Sequence, residues 1–547
     1  MRKTLHSLFV ISLFIISGQQ VKAATAMGGD IAFKDLGNGK YLITATLLRD
    51  CRGLSLNNPN FRLFSGKNGD NSCGSDIITF SRVEIKTITE VCSTAKKPCD
   101  PPNTAFAYGF EVHIFQTTLD INSAPLNKYI GNTSCPEITF AMGMCCRSGA
   151  ITTGGASNDF WVTTTVNWLN LSRCAKTSAS SPVFSRYMPM ELCCNEPLYF
   201  NPGAKDSADG DSITFRKASP ISTLPNIGIS YNKPFSYQYP VTPFCTSKGV
   251  IDCLPTPYST SPTGFFLDTI TGSVVFIPTN CSEMGPIGIE LLEWRKDTTG
   301  NYVQISRILR DQLVIIKDDC GFNSLPRISG PIHNAVTAGE KICFEVKTTD
   351  KISVSPAIKD TTLLVWNNAI PGATFTINDP KAREKTATFC WQTDSTHARQ
   401  NVWHFAAYTS DQHCPFPGLS SLGFTIKVKK PTTAKVNIKQ LFCNQFQLTA
   451  TIKQGKNKVY FWSITDSAGK SVFVSQTDSV ITNSLKPGVY IVKFTGSSDE
   501  YGVRPIFDTL RITAPLPSGI LQPSAKAVCS SKSATVSAFI SNSTGPW

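Results

Sequence analysis

Hydrophobic and polar residues alternate with a period of two along most of this 547-residue chain. Alternation of that kind sends successive side chains to opposite faces of an extended backbone, so each run predicts a half-buried strand. The first stretch, 29–51, holds two such runs around Gly37-Asn38-Gly39, a tripeptide suited to the positive φ angles of a hairpin turn. Further runs cover 77–88, 105–115, 137–142 and 160–168. A second group lies at 212–216, 264–278, 287–295 and 302–317. A third occupies 341–347, 361–366, 386–391, 402–409 and 422–429, and a fourth 435–451, 459–462, 485–494 and 507–513. No heptad or long amphipathic helical pattern interrupts them.

The chain is too long for one core and suggests roughly four or five modules of about 100 residues each. The grouping predicts an all-β protein of tandem β-sandwiches in an elongated array. Its units are a Cys-rich β domain at 27–185, sandwiches at 186–326, 327–430 and 431–514, and the first strands of a further repeat at 515–547. Residues 525–539 echo the strand around Cys443, and Cys529 follows Cys443 at 86 residues, about one module period. Half a module cannot bury its own sheet face, so a longer parent protein is expected, with Cys529 as the unpaired thiol.

Residues 1–26 read as a secretory signal: Arg2 and Lys3, an apolar core at 8–16, then small-residue cleavage sites at 21–23 or 24–26. That core is too short to span a bilayer, and no second apolar run of spanning length follows. Of the net charge of +13, Arg2, Lys3 and Lys22 belong to the signal, which leaves +10 on the mature chain. The remaining cations are dispersed, as on a solvated surface, with weak attraction to acidic polysaccharide the sharper alternative. No motif supports nucleic-acid binding.

In an exported chain, 19 cysteines read as disulfides. The adjacent pairs Cys145-Cys146 and Cys193-Cys194 suit two separate bridges each better than one tetrahedral metal. Cys92 and Cys99 flank a Lys-Lys-Pro loop and suggest a local bridge. Cys245 and Cys253 bracket a short loop, and Cys320, Cys343, Cys390 and Cys414 form an even set.

One loop carries candidate metal chemistry. Asp206, Asp209 and Asp211 crowd around Gly210, and a calcium ion seeks roughly six to eight oxygens, which close Asp side chains and turn carbonyls supply. The competing reading is a tight turn stabilised by Asp and Gly alone. His397, His404 and His413 share the third unit without a His-Glu-x-x-His framework, so they read as surface or core-edge residues. Trp161, Trp168, Trp294 and Trp403 offer stacking faces for sugar but read more simply as core.

Two resemblances emerge from these residues. The Asp206–Asp211 loop, the 267–272 turn with Asp268, and the 318–326 connector with Asp318 and Asp319 resemble, in order, the acidic turn, the D-x-x-T-G turn and the acidic linker of cadherin-like modules. That resemblance implies calcium at Asp206, Asp209, Asp211, Asp268, Asp318 and Asp319. The linker lacks the full D-x-N-D-N string, and cysteines intrude. The wider layout, with Gly28-Gly29-Asp30-Ile31, Arg49-Asp50-Cys51, Glu293-Trp294-Arg295 and the run 310–316, resembles large surface proteins of gliding bacteria. In those, cadherin-like and PKD- or Ig-like modules precede a C-terminal sorting domain for type IX secretion. The resemblance implies display on the outer cell surface and partners among surface glycans, extracellular polysaccharide or other surface proteins.

No Gly-x-Ser-x-Gly elbow, His-Glu-x-x-His helix, phosphate-binding Gly-Lys-Ser/Thr loop or Rossmann fingerprint occurs. The expected function is therefore a non-enzymatic surface adhesin or stalk, stiffened by calcium. The alternative is a carbohydrate-binding exoprotein whose catalytic module lies beyond residue 547.

Overall fold

A computed structural model describes residues 26–53, 58–88, 98–100, 108–205, 211–318, 323–351, 361–399, 401–411, 413, 417–442 and 444–513, with the backbone of 518–523 and 536–541. Residues 1–25 of the expected signal at 1–26, and Cys92, Cys320, Cys414, Cys443 and Cys529, lie outside the described residues. Of the further repeat, Ser518–Pro523 pairs antiparallel with Val536–Ser541. The protein is nearly all β, with 54% strand and 2% helix.

The opening hairpin forms as its turn chemistry dictates. Ala26–Gly37 pairs with Lys40–Asp50 around Asn38 and Gly39, both at positive φ. Its sheet runs from edge to edge as Ser75–Ile77, Asn60–Gly66, Glu137–Met144, Phe160–Asn167, Tyr302–Lys317, Ala26–Gly37, Lys40–Asp50, Phe110–Asp120 and Ser81–Thr87. The two halves close on a core in which Ile31, Ile43, Leu47 and Phe115 meet Leu63, Ile138, Phe140 and Phe160. At 168 the expected strand instead gives way to a short helix, Trp168–Ser172, because Asn167 caps it by accepting from the Asn170 N–H at 2.9 Å.

Tyr302–Lys317 comes from the second expected unit, yet it lies in the middle of the first unit's sheet. Met284–Lys296 pairs along its whole length and in turn pairs with Ser212–Ala218. Residues 26–185 and 186–317 therefore share one sheet. A separate core of Leu198, Phe215, Phe265, Phe276, Leu291 and Val314 fills the second part. Between the two, Met27, Leu48 and Val112 pack against Met190, Met284 and Leu313.

The third and fourth units are joined in the same manner. Leu419–Thr432 pairs antiparallel with Trp403–Ser410, then continues so that Lys430–Thr432 pairs in parallel with Tyr501–Val503 of the fourth unit. Each unit keeps its own core, one around Phe389, Phe405 and Phe424, the other around Trp462, Val492 and Phe494.

The cysteines correct two expectations. Cys99 is bonded to Cys51, not to Cys92, because the strand Phe110–Asp120 pairs with Lys40–Asp50 and brings residues 98–100 against Cys51. Cys145 is bonded to its neighbour Cys146, so that pair makes one bridge and not two. Cys245–Cys253 closes its short loop as expected, and Cys343–Cys390 joins directly opposed residues on paired strands. Cys73–Cys135 and Cys194–Cys281 complete the bridges between described cysteines, and Cys193 is disulfide-bonded as well. The free thiol among the described residues is the buried Cys174.

The shared sheet generates a test. A fragment covering 27–185 lacks the strand that fills the middle of its sheet, so it exposes unpaired edges of Ala26–Gly37 and Phe160–Asn167. It is expected to be unfolded or aggregated by circular dichroism and size exclusion. A fragment covering 27–318 is expected to melt in one cooperative transition.

Candidate functional site: a buried charge seam

Tyr302–Lys317 is buried along most of its length on both faces. Its first edge is taken by Met284–Lys296. The second is divided among Phe160–Asn167 at 306–308, Ala26–Gly37 at 311–312 and Glu191–Cys193, in parallel, at 315–317. An apolar strand would suffice for such a place, yet Arg307, Arg310, Asp311 and Gln312 interrupt it. Charges withdrawn from water are tolerated only when paired and hydrogen-bonded.

Each is met by a residue from the first unit or from the connection after it. Arg310 donates through Nε to Asp30 Oδ2 at 2.9 Å and through Nη2 to the same oxygen, while Nη1 reaches the Arg186 carbonyl. Its guanidinium lies 3.9 Å from the ring centre of Phe184 and 4.8 Å from that of Tyr187, a favourable place for a desolvated cation. Arg147 pairs with Asp311, donates to the Ile221 carbonyl at 3.1 Å and covers the Phe160 ring at 5.0 Å. Burial pushes the Asp311 carboxyl up, and Arg147 opposes that shift. Arg307 grips Glu137 with two parallel bonds of 2.9 and 2.8 Å. Gln312 accepts from the Met188 N–H at 3.0 Å and donates back to the Met188 carbonyl.

The glycines of the first strand make this approach possible. A Cβ on Gly28 would stand 2.6 Å from the Asp311 carbonyl oxygen, and one on Gly29 would stand 2.3 Å from that of Thr46. Gly28-Gly29-Asp30 thus brings the backbone close and supplies the acid for Arg310. Two of the four motifs behind the surface-protein resemblance, 28–31 and 310–316, are halves of one contact.

The expected calcium ligands are placed differently. Asp206, Asp209 and Asp319 lie outside the described residues. Asp211 is buried against Arg295, whose Nε donates at 2.8 Å and whose Nη1 also binds the Lys176 and Ser178 carbonyls. Asp268 holds its own turn by accepting from the N–H groups of Ile270 at 2.8 Å and Thr271 at 3.1 Å. Asp318 is exposed at the end of the seam strand. Among the described residues, Asp211, Asp268 and Asp318 do not converge; the one metal-sized cluster is Cys145, Cys146 and Asp159, and its two sulfurs are bonded to each other.

The second and third units meet through a smaller polar joint. Asn201 donates its N–H to Ser421 Oγ at 2.6 Å and its side-chain amide to the Thr271 carbonyl at 2.7 Å. A Cβ on Gly423 would stand 2.6 Å from Thr271, so these surfaces are in close contact. His404 donates across the joint to the Ala204 carbonyl at 3.3 Å, which requires a proton on Nε2, and burial pulls its imidazole down to about 4, so that the ring is neutral near pH 7. His397 closes a capping box with Asp394 and packs on Trp391 and Trp403, and His413 is buried. The tryptophans serve packing too: Trp294 Nε1 donates to Thr214 Oγ1 at 2.8 Å, Trp403 Nε1 to the His397 carbonyl at 2.9 Å, and Trp161 lies over Gly143. Sequence reasoning missed the seam itself; its signal was the polar triplet 310–312, two of its residues charged, inside an otherwise apolar run.

No family model matches the chain, and no curated protein matches it either. Among solved structures, a crystal structure of titin domains matches at 9% identity over 61% of this chain and 100% of that one, with a TM-score of 0.17. The FN1-FN3 domains of chicken CNTN1 match at 10% identity over 61% of this chain and 99% of that one, with a TM-score of 0.22. Fibronectin(III)-like modules of Clostridium thermocellum CbhA match at 12% identity over 34% of this chain and 94% of that one, at 0.20. At these TM-scores the overlays establish nothing further, and the sandwich assignment rests on strand pairing and cores.

Two measurements probe these contacts. Replacing Asp311 alone by Leu leaves Arg147 buried without its partner and is expected to cost about 3–5 kcal/mol in urea denaturation. Replacing Asp311 by Leu and Arg147 by Met together is expected to restore most of that stability. Acidification tests the joint. In the unfolded chain His404 protonates near its ordinary value of 6.5, but in the fold only near about 4. Its contribution is therefore full above pH 6.5 and declines as the pH falls toward 4. His404→Gln is expected to flatten the melting temperature against pH across that window.

Proposed function

We propose that this chain is an exported, non-enzymatic stalk or adhesin of the cell surface, in which modules are held in line by strands shared between them. The observation that carries this reading is the pair of seams: Tyr302–Lys317 belongs to the first two units at once, and Leu419–Thr432 to the third and fourth. A flexible linker lets neighbouring modules pivot, whereas a continuous strand transmits bending and tension through hydrogen-bonded backbone. The disulfides fit an oxidising, extracellular setting, and among the described residues no helix is long and apolar enough to cross a membrane.

Calcium has a reduced place in this proposal. With Asp211 engaged by Arg295 and Asp268 by its own turn, the loop would bind an ion chiefly through Asp206 and Asp209. The remainder of the roughly six to eight oxygens of a calcium shell would then come from turn carbonyls and water. Display by type IX secretion and a role in gliding belong to the same proposal and are supported by the motif resemblance alone. The alternative, a carbohydrate-binding exoprotein, finds its support in one surface cleft.

Pulling the full chain by its ends in a force microscope tests the stalk. Residues 26–318 are expected to yield as one unit, with unfolding forces equal in calcium and in EDTA. Separate yielding of 27–185 and 186–318 overturns the shared-strand design, and weakening in EDTA restores calcium as the stiffener.

A further inference from the structure

We propose that the cleft beside the strand Ser212–Ala218 binds an acidic saccharide, a sugar ring carrying a carboxylate; this rests on the adhesin reading and names its ligand class. The cleft has a volume of about 570 Å³, and its lining includes Arg216, Lys217, Tyr237, Gln238, Thr269 and Glu290. It lies between that strand, the loop around Tyr237, and the turn that Asp268 holds, so three independently fixed segments form its walls.

Charge decides the sign of the ligand. Arg216 and Glu290 are directly opposed on paired strands and form an ion pair, with the Arg216 side chain 58% exposed and that of Glu290 only 13%. Glu290 is approached from its other side by Arg307 Nε at 3.7 Å. One carboxylate thus serves two guanidiniums, and Arg216 keeps N–H groups directed to solvent. Lys217 adds a second cation. Its Nζ donates to the carbonyls of Phe265 at 2.7 Å and Gln238 at 2.9 Å, and it lies 4.8 Å from the ring centre of Phe265. Desolvation there pulls the ammonium down to about 8, so an anion placed beside it would favour its charged form.

Shape and the aromatic residue narrow the class further. Tyr237 is 41% exposed on the rim, in contrast to the tryptophans, which are engaged in packing. An exposed ring offers the flat apolar face on which the C–H side of a pyranose stacks. The Gln238 and Thr269 side chains supply donors and acceptors for sugar hydroxyls. A neutral sugar would leave the N–H groups of the exposed Arg216 guanidinium that Glu290 does not use to water, and a bare sulfate would leave the ring unused. A uronic acid uses both: its carboxylate accepts from Arg216 while its ring lies on Tyr237.

The test is calorimetric titration of the full chain with oligogalacturonate, with neutral dextran and with inorganic sulfate. Oligogalacturonate is expected to bind more weakly as salt rises, and dextran and sulfate are expected not to bind. Arg216→Gln and Tyr237→Ala are each expected to weaken oligogalacturonate binding by about tenfold or more at unchanged melting temperature. Absence of oligogalacturonate binding, equal binding of dextran or sulfate, or variants that bind like the parent overturns the assignment. The force measurement on the same chain is independent of this cleft, so failure here leaves the stalk reading standing, and the reverse holds.

Discussion

A single strand buried on both faces, with charges at its centre, sets the arrangement of the first 318 residues. Tyr302–Lys317 has no solvent to satisfy Arg307, Arg310, Asp311 and Gln312, so four other segments must arrive with matching groups. Glu137, Asp30, Arg147 and Met188 do so. In an apolar strand, a slip in register would cost only some packing. Here a slip would strand buried charges against hydrocarbon, which is far more costly. Buried ion pairs contribute little net stability compared with apolar packing of the same volume. The seam is therefore better understood as selecting one alignment of two β units than as the source of their stability, which lies in the apolar cores on either side.

The same logic gives two of the acids that the sequence offered as ligands a place in the fold. Asp211 and Asp268 look like ligands because they are acids in turns near glycine. In the fold one neutralises a buried arginine and the other supplies the acceptor for two turn N–H groups. Continuity between units is carried by Leu419–Thr432 passing from one sheet into the next, and by the Asn201–Ser421 joint between the second and third units.

Local chemistry was legible in the sequence and long-range pairing was not. Gly37-Asn38-Gly39 announced its hairpin because turn geometry is set within three residues. Most strands appeared close to where alternation placed them, since alternation records which face is buried. Nothing local records that Gly29 lies opposite Asp311, or that Arg310 finds an acid 280 residues earlier in the chain. That is why the boundary drawn near residue 185 falls within a shared sheet. The expected Cys92–Cys99 bridge failed for a related reason: Cys92 was near Cys99 in sequence, but strand pairing delivered Cys51 instead. What was available, and went unused, was an anomaly. An arginine–aspartate–glutamine triplet set between Ile308-Leu309 and Leu313-Val314-Ile315-Ile316 has to be paired by something.

The covalent and non-covalent links divide the work between them. Cys51–Cys99, Cys73–Cys135, Cys194–Cys281, Cys245–Cys253 and Cys343–Cys390 each close a loop inside one expected unit, and none crosses a joint. They limit how far an unfolded unit can extend, and they stabilise it chiefly by restricting the unfolded chain. At the joints, the interactions seen among the described residues include strand pairing and buried charge, which are lost if the alignment is lost. If a joint opens, each bridged unit still retains the loops its disulfides close. Cys343–Cys390 marks the boundary of this argument, because it joins adjacent strands of one sheet and therefore pins register within a layer without tying the two layers of its sandwich together.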